Sequence, residues 1–388
     1  MRIAYITACL GYGGAEQLIV DLSRVMSARG HTVLVVSMLN DTPHAEKLAR
    51  IGVQVLTLDM QRGIPDLRAI FRLVRILRPW HPDVIHAHGF PANILSRVAR
   101  LFVRSSVLVC TAHAFREEGR GAQWLYPLTD HLCTITTNVS QAAVDNYIRL
   151  KRVPRDRILF VPNGVDTSFF KPDSVVREET RRNLGIADKT FLWIAVGRLI
   201  EIKAYDNLIS AVALLPPSQR PQMCIVGEGH LEQVLKEQAA RSGLSEHIHF
   251  LGRRTDVNRL MNAADGYVMS SDGEGMPMVL LEAAASALPI VATDVGGNKE
   301  VLLHDRTGFI VPPRDSQAMA DAMLKLQAMA PDLRLAMGQA GRTYICATYE
   351  LSQIVLRWEQ LYQQWHALTQ QKPLEGHTAT TENKTINL

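Results

Sequence analysis

The chain has 388 residues, of which 47 % are apolar and 21 % charged, so it is long enough for two globular domains with buried cores. Its net charge of +4 is uneven, because residues 1–165 hold 20 basic and 12 acidic side chains whereas residues 166–388 hold 22 and 26. Five widely spaced cysteines, and no run of ~20 apolar residues, argue against a disulfide framework, a zinc site and a membrane-spanning helix, and we expect a cytoplasmic protein.

A β-loop-α-β unit is predicted at the amino terminus. An apolar strand over residues 3–8 leads into the glycine loop 11–14, which opens a helix over residues 15–29 ahead of a second strand over residues 33–38. Glycines at a helix N-terminus let the backbone approach a ligand closely. The loop lacks the Gly-x-Gly-x-x-Gly spacing of a dinucleotide fingerprint, so a tight turn without a ligand stays an alternative.

Two helices of the basic first half carry rows of arginine. The first helix, over residues 64–77, and the second, over residues 93–103, are both amphipathic. The basic positions are Arg68, Arg72, Arg75, Arg78, Arg97, Arg100 and Arg104, and the apolar side of the first helix comprises Leu67, Ile70, Phe71, Val74 and Leu77. The rows are either solvent-facing sides of packed helices or an attraction for anionic lipid headgroups, at about 1 kcal/mol per basic side chain near the surface.

Two predicted strands of the first half end in histidine. Residues 83–88 end with His86 and His88, and residues 107–113 end with His113. Ligands of open α/β sheets gather at the carboxyl ends of the strands. A histidine at such a place is nevertheless more often structural, and we interpret His86 and His88 as lining or core residues.

The first half ends in a turn and a linker. A strand over residues 131–136 and a helix beginning near residue 140 precede a last strand, and the Asn163-Gly164 pair that follows is a turn signal. The segment 169–174 has the character of an interdomain linker. A second domain therefore begins near residue 170.

The second half repeats the alternation of strands and helices. After an apolar strand over residues 191–196, Arg198 and Lys203 lie where a guanidinium fork and a mobile ammonium group reach a diphosphate, with ordinary surface cations as the alternative. The later predicted helices cover residues 207–215, 231–242, 256–263, 316–329, 332–348 and 351–368, and the later strands residues 223–226, 249–251, 266–269 and 289–293, with 300–303, 307–308 and 310–311 closing the sheet.

The segment 271–297 holds the pattern with the most chemical content. A polar loop over residues 271–275 feeds a helix over residues 278–287, and the unpaired N–H groups and positive dipole end of such a helix favour phosphate or sugar oxygens. Glu274 and Glu282 flank the helix start with seven residues between them, which suits hydroxyl groups on either side of a phosphate. Taken alone, the pair is also compatible with an ordinary helix surface.

This Glu-x7-Glu arrangement, with Gly275 and Pro277 inside it and Gly296-Gly297 after it, resembles the retaining glycosyltransferases of the GT-B fold that form the GT4 family. The other motif positions occur in family order over about residues 2–365, namely Gly13-Gly14, His113, Asn163-Gly164, Arg198 and Lys203. The family usually has a glycine after that lysine, where this chain has Ala204.

The resemblance implies an α/β fold of GT-B type, in which two Rossmann-like domains face each other across a central cleft. The expected domains are residues 1–168, on the acceptor side, and residues 169–350, which bind the nucleotide sugar. A helix over residues 351–368 is expected to cross back to the first domain. Residues 369–388 are polar and aperiodic, and we expect a disordered tail.

The resemblance also implies roles for individual residues. Glu274 is expected to contact hydroxyl groups of the donor sugar, Glu282 to hold the ribose diol and His113 to orient the sugar. Arg198 and Lys203 are expected to neutralise the leaving diphosphate. Further donor-binding positions are Gly14, Arg253, Gly275, Met278, Val279 and Leu280, and the acceptor-side positions are Gly13, Ala15 and Glu16. No Asp-x-Asp site is evident, so we expect neither a metal ion nor another cofactor.

The predicted function is that of a retaining glycosyltransferase. It would move a hexose or N-acetylhexosamine from a UDP-sugar, or from GDP-mannose, to a glycan acceptor in polysaccharide or lipopolysaccharide biosynthesis. We expect a lipid-diphosphate-linked acceptor and a peripheral position on the anionic inner face of the cytoplasmic membrane, because the first domain is basic. A nucleic acid partner is not expected, since the arginines lack interleaved aromatic residues.

Two alternatives belong to other functional classes. A sugar-nucleotide 2-epimerase of GT-B fold would convert its substrate without an acceptor, but the Glu-x7-Glu string and the pair Arg198 and Lys203 argue against it. A non-catalytic nucleotide-binding partner is disfavoured because no motif position is visibly lost.

Overall fold

The computed structural model describes residues 1–105, 107–113, 115 and 120–370. The first half is built around a parallel sheet with the strand order β3-β2-β1-β4-β5-β6-β7. Its strands are β1 (Arg2–Thr7), β2 (Thr32–Leu39), β3 (Gln54–Met60), β4 (Val84–His88), β5 (Val107–Ala112), β6 (Ile135–Asn138) and β7 (Ile158–Phe160). The helices between them are α1 (Gly14–Ala28), α2 (Ala45–Ala49), α3 (Arg68–Trp80), α4 (Phe90–Ala99), α5 (Arg120–Thr129) and α6 (Gln141–Arg149).

Helices cover both faces of this first sheet. Because successive side chains of a strand point to opposite faces, Ile3 and Tyr5 pack in the cluster that includes α1, whereas Ala4 and Ile6 pack in the cluster that includes α3 and α4. A sheet buried on both faces needs continuous apolar strands, and β1 is apolar at these four positions.

The second half contains a parallel sheet with the strand order β10-β9-β8-β11-β12-β13. Its strands are β8 (Leu192–Val196), β9 (Gln222–Val226), β10 (Ile248–Phe250), β11 (Gly266–Met269), β12 (Ile290–Thr293) and β13 (Gly308–Val311). The remaining helices are α7 (Ser174–Asn183), α8 (Tyr205–Leu214), α9 (Glu232–Arg241), α10 (Val257–Ala263), α11 (Met278–Ala285), α12 (Asn298–Val301), α13 (Ser316–Ala328), α14 (Pro331–Thr348) and α15 (Leu351–Gln370). The predicted α/β fold with two Rossmann-like units is confirmed.

Each sheet has one point at which the strand order reverses, between β1 and β4 in the first and between β8 and β11 in the second. Ligands of such sheets bind outside the carboxyl ends of the strands at this point. The glycine loop follows β1 and His88 ends β4, while Arg198 follows β8 and Glu274 follows β11. The fold therefore gathers the predicted site residues at the two switch points.

The last helix, α15, lies against the first sheet rather than the second. Trp358 and Tyr362 are buried in the same cluster as Ile3 and Tyr5, and α15 also contacts α1. The chain thus returns to its first half after completing the second sheet.

Of the predicted disordered tail, residues 369–370 belong to α15 and the rest lies outside the described residues. Within the described chain, no helix combines the length and apolarity that crossing a bilayer requires.

Two local predictions were wrong. Residues 300–303 do not extend the sheet, because Asn298 donates a side-chain hydrogen bond of 2.9 Å to the Thr293 carbonyl and begins the short helix α12. The strand predicted over residues 131–136 begins only at Ile135, since Asp130 starts a 3-10 turn and its carboxylate accepts hydrogen bonds from Arg97 and Arg157.

Candidate functional site

The loop between β11 and α11 is held from several sides. Thr293 Oγ1 donates to the Ser271 carbonyl at 2.6 Å, and the Gly297 N–H donates to the Gly275 carbonyl at 2.8 Å. Gly296 has a φ of +50°, and a Cβ there would lie 1.8 Å from the Glu274 carbonyl oxygen. Only glycine fits this position, so the Gly296-Gly297 pair fixes the backbone that presents Glu274.

Glu274 and Lys203, two of the predicted catalytic residues, are in direct contact. Lys203 Nζ lies 2.5 Å from Glu274 Oε1, and the Ser271 hydroxyl donates to the same oxygen at 2.6 Å. The Lys203 loop is attached to the Glu274 loop by a hydrogen bond of 2.8 Å from Ser270 Oγ to the Lys203 carbonyl. Ala204, in place of the family glycine, keeps the left-handed conformation with a φ of +49°. Ala204 therefore adopts a backbone conformation that is usual for glycine.

Arg198 is exposed after β8 and stands apart from this pair. Its loop is fixed by the N–H of Leu199, which donates to the Glu228 carbonyl at 3.0 Å. In the described part of the chain, the Arg198 guanidinium forms no ion pair within 4.0 Å. Its charge is thus available to a ligand, but the structure does not bring it into contact with Lys203 or Glu274.

Glu282 lies on α11, facing α1 of the first half. It is 9 % exposed, and burial, with a smaller contribution from the Asp21 charge, raises its pKa to about 8. Burial also raises the pKa of Asp21, although a hydrogen bond of 3.0 Å from Gln17 opposes this shift. Two carboxyl groups from different halves therefore meet where α1 contacts α11.

The glycine loop after β1 lies against the N-terminus of α11. A Cβ at Gly14 would be 3.1 Å from Cγ of Met278, so the backbones approach closely here. The Glu16 carboxylate folds over Gly13, where a Cβ would be 2.1 Å from Oε2, and accepts a hydrogen bond of 3.3 Å from the Cys9 thiol. The predicted acceptor-side positions Gly13 and Glu16, with the half-buried Ala15 between them, thus border the predicted donor side.

The first turn of α11 needs one correction. Met278 and Val279 begin the helix after its N-cap Pro277. Leu280, predicted to contact the donor, is fully buried in the core of the second half and its N–H donates to the Pro277 carbonyl at 3.1 Å. Its role is packing, because neither its side chain nor its N–H is free for a ligand.

His113 follows β5 and contacts the second half. Its carbonyl oxygen lies against Gly275, where a Cβ would be only 2.2 Å away. His113 Nε2 is 3.0 Å from His88 Nδ1, and burial lowers the pKa of His113 to about 4. The predicted sugar-orienting histidine is therefore a neutral, hydrogen-bonded group at the boundary between the halves.

Arg253 meets the glycine loop across the two halves. Its guanidinium carbon is 4.4 Å from the centre of the Tyr12 ring, and its Nη1 is 3.5 Å from Glu228 Oε1. Tyr12 was not predicted as a site residue, since nothing in the local sequence indicates which side chain will face it across a tertiary contact.

Further contacts between the halves were also missed. Asn163 Nδ2 donates to the Met276 carbonyl at 2.8 Å, and the Glu300 carboxylate accepts the N–H groups of Gln141 and Ala142, each at 3.0 Å, at the start of α6. Two of these residues lie in or near recognisable motifs, since Asn163 belongs to the Pro-Asn-Gly string and Glu300 follows the Gly-Gly pair. No motif in the sequence indicates that Asp21 lies near the site. These bonds link the donor loop and α12 to the first half.

The arginine rows do not form two uniform basic faces. Arg97 is fully buried and donates to Thr136 Oγ1 at 2.8 Å, and Arg72 forms an ion pair of 2.5 Å with Asp66. Leu67 and Phe71, expected on the buried side of α3, are 77 % and 65 % exposed. Leu67 precedes the helix, which begins at Arg68 rather than residue 64. The buried side of α3 runs through Ala69, Leu73 and Leu77, so Phe71 lies on the opposite, exposed side. Among the described residues, no group of three or more acidic, histidine or cysteine side chains could hold a metal ion.

Comparisons with known proteins identify the family of this chain. Residues 176–344 match the family described as glycosyl transferases group 1, and residues 12–169 match glycosyltransferase family 4. EpsD of Bacillus subtilis (strain 168), named as a glycosyltransferase, is 31 % identical over 293 residues, which are 72 % of this chain and 76 % of EpsD.

A second relative and a solved structure extend the comparison. The UDP-Gal:alpha-D-GlcNAc-diphosphoundecaprenol alpha-1,3-galactosyltransferase of Escherichia coli is 27 % identical over 278 residues, 68 % of this chain and 71 % of the relative. HepE of Anabaena, in complex with UDP and glucose, matches with a TM-score of 0.83 at 23 % identity over 94 % of this chain and 99 % of HepE. The likeness to HepE concerns the fold, while the identity to EpsD, together with the two family matches, confirms the resemblance inferred from the Glu-x7-Glu string. This chain therefore belongs to the glycosyltransferases whose two halves match the group 1 and family 4 models.

Proposed function

We propose that this chain is a retaining transferase that moves a hexose or N-acetylhexosamine from a nucleotide diphosphate sugar to a lipid-diphosphate-linked glycan in polysaccharide or lipopolysaccharide biosynthesis. The observation that carries the proposal is the contact of 2.5 Å between Lys203 and Glu274 at the switch point of the second sheet. It joins a cation suited to a diphosphate with a carboxylate suited to sugar hydroxyl groups.

Breaking the bond between sugar and phosphate creates an oxocarbenium-like sugar and a diphosphate leaving group. Fixed positive charge at the diphosphate stabilises this transition state. Lys203 supplies one charge and the exposed Arg198 a second, and the N-terminus of α11, with the N–H groups of Met278 and Val279, adds a dipole end. We propose that these groups suffice without a metal ion.

The donor exchanges partners with the residues of the site. In the free protein Lys203 and Glu274 bind each other, and both remain largely shielded from solvent. When the donor binds, its diphosphate forms an ion pair with Lys203, and the hydroxyl groups of its sugar donate hydrogen bonds to Glu274. We assign Glu282 to the ribose diol. Burial, with a smaller contribution from the Asp21 charge, makes the ionised form of Glu282 costly, and hydrogen bonds donated by a diol would offset this cost.

Retention means that the acceptor hydroxyl enters on the face from which the diphosphate leaves. The family resemblance supports this outcome. Gly14 of the glycine loop lies against Met278 at the N-terminus of α11, and we propose that the acceptor binds beside the leaving group on this side.

One solved structure and one relative support the donor and acceptor classes that we propose. HepE was determined with UDP and glucose, and the Escherichia coli relative is named for UDP-Gal and a diphosphoundecaprenol acceptor. We therefore place a UDP-sugar first and GDP-mannose second as the donor, with a lipid diphosphate as the carrier of the acceptor sugar.

A lipid-linked acceptor requires that the protein contact a membrane surface. The residues at the start of α3 are suited to this contact. Ile64, Leu67 and Phe71 are exposed there beside Arg68 and Arg75, which form no ion pair within the described chain. Exposed apolar side chains flanked by arginine suit insertion among anionic headgroups. We propose that this patch, defined by these five residues, binds the inner face of the cytoplasmic membrane.

Mass spectrometry of the purified protein with a panel of UDP- and GDP-sugars, with and without a short-chain lipid diphosphate sugar, tests the proposal. We expect acceptor-dependent addition of one hexose or N-acetylhexosamine with release of nucleoside diphosphate, and NMR of the product should show the anomeric configuration of the donor. Isomerisation of a sugar nucleotide without acceptor would identify an epimerase instead, and an inverted anomer would refute retention.

A further inference from the structure

Three histidine rings lie next to one another near the carboxyl ends of strands β4 and β5. His86 and His88 lie on the same side of β4, and His113 follows the neighbouring β5. The ring centres of His86 and His88 are 4.0 Å apart, and those of His88 and His113 are 5.2 Å apart with the planes inclined by 22°. Burial, reinforced by the neighbouring imidazoles, lowers the pKa of His88 well below its usual value, so His88 and His113 are both neutral at physiological pH.

The hydrogen bond between His88 and His113 couples the tautomers of the two rings. It joins His88 Nδ1 to His113 Nε2 at 3.0 Å. A neutral imidazole has one N–H and one bare nitrogen. If His88 donates, the proton of His113 is on Nδ1, and if His113 donates, its Nδ1 is bare and the proton of His88 is on Nε2.

The surroundings of His88 Nε2 favour the first arrangement. This nitrogen is buried and meets no hydrogen-bond partner in the described portion of the chain. A proton on Nε2 would be an orphaned buried N–H, which is the rarer kind of unsatisfied group in proteins. The proton of His88 therefore belongs on Nδ1, where His113 Nε2 accepts it.

We infer that His88 is a positioning residue that fixes the ring and tautomer of His113, so that His113 Nδ1–H donates to an oxygen of the donor sugar. The inference rests on the proposed function, which assigns His113 to the sugar. The location agrees, because the His113 backbone contacts Gly275 of the donor loop. His86 is engaged elsewhere, by Tyr362 Oη at 2.5 Å and Thr111 Oγ1 at 2.6 Å.

The test compares the affinities for UDP and for the UDP-sugar that the wild-type protein binds most tightly, measured by calorimetry. Their ratio isolates the contribution of the sugar, which His113 contacts, from that of the nucleotide. We expect His88→Phe, which keeps a ring but lacks the N–H, to reduce this ratio about tenfold while the affinity for UDP stays within about twofold. His88→Asn places an amide N–H near the position of Nδ1–H and should restore the ratio to within about threefold.

Tyr362→Phe is the matched control, because it removes a buried hydrogen bond of the same cluster without touching the bond between His88 and His113. It should lower the melting temperature and leave the ratio unchanged. A wild-type ratio in His88→Phe, or an equal loss of affinity for UDP and the UDP-sugar in both His88 variants, overturns the inference. Wild-type protein that binds the UDP-sugar but transfers nothing overturns the proposed function instead, because the ratio is measured without turnover.

Discussion

The donor loop of the second half and the arginine-bearing helices of the first half hold positive charge in different ways. Among the described residues, Lys203 has one charged partner within 4.0 Å, Glu274, and both residues follow strands of the second sheet. Arg97 is buried among Thr129, Asp130 and Thr136, each of which accepts one of its hydrogen bonds. A cation with one exchangeable partner is available to a ligand, whereas a cation held by several buried acceptors is part of the scaffold.

Replacing Arg97 should have the largest effect on stability and none that is specific to the donor. Arg97→Met leaves the carboxylate of Asp130 buried, with Arg157 as its remaining charged partner among the described residues. We expect the free energy of unfolding to fall by about 3–5 kcal/mol in urea titrations. Arg75→Met, on the exposed side of α3, is the control and should change it by at most about 0.5 kcal/mol. Equal effects of the two changes would contradict the distinction between scaffold and ligand cations.

Replacing Lys203 should show the opposite pattern. Lys203→Ala removes charge from the leaving diphosphate, and we expect kcat to fall by about 10²–10³ in protein that still unfolds cooperatively. Lys236→Ala, which breaks an ion pair of 2.7 Å with Glu232 on the surface of α9, should leave kcat unchanged. Steady-state kinetics on both variants make the comparison, and full activity of Lys203→Ala would remove this lysine from the mechanism.

The pair of carboxyl groups between the halves should make stability depend on pH. Because the pKa of Glu282 is about 8 in the folded protein and its usual value is 4.5, the folded state holds a proton that the unfolded state has lost between these pH values. The free energy of unfolding should therefore fall as pH rises through this window, by about 1.4 kcal/mol for each pKa unit of the shift. Glu282→Gln cannot lose this proton, so its free energy of unfolding should fall less between pH 5 and pH 8. Urea titrations at the two pH values measure this, and an equal fall in the wild-type protein and the variant would refute the raised pKa.

The smallest expected effect concerns the membrane patch. Leu67→Ser and Phe71→Ser together should weaken binding to vesicles with anionic lipid by at least about tenfold in flotation assays, since each side chain would otherwise bury apolar surface in the headgroup region. The matched control is Leu335→Ser, an exposed leucine of the second half that should leave binding unchanged. Wild-type protein that fails to float even at low salt would dismiss the patch altogether.

The positions that sequence reasoning located correctly are loop residues directly after strands. Arg198, Lys203 and Glu274 follow β8 and β11, and the parallel order of the strands is enough to bring their loops to one end of the sheet. The Gly-Gly pair at 296–297 was also informative, because a left-handed φ and a close backbone approach leave glycine as the only residue that fits.

The positions that it missed depend on tertiary contacts. Amphipathic spacing predicted that Arg97 would lie on the exposed side of its helix. It is buried instead, because it donates hydrogen bonds to residues 29 to 39 positions later in the chain. Asp21 and Tyr12 reach the site only because the two halves meet, and Leu280 is excluded from it because the core of the second half encloses its side chain. Helical periodicity predicts which residues share one side of a helix, but it does not predict which other parts of the chain pack against that side.

The most direct test of the account is the rate of sugar transfer by Glu274→Ala, measured with the donor and acceptor that the wild-type protein uses. Glu274 is the partner of Lys203 and the carboxylate assigned to the sugar hydroxyl groups. The account predicts a loss of about 10²–10³ in kcat while UDP still binds, because the nucleotide contacts remain. Undiminished turnover by this variant would contradict the assignment of the donor site.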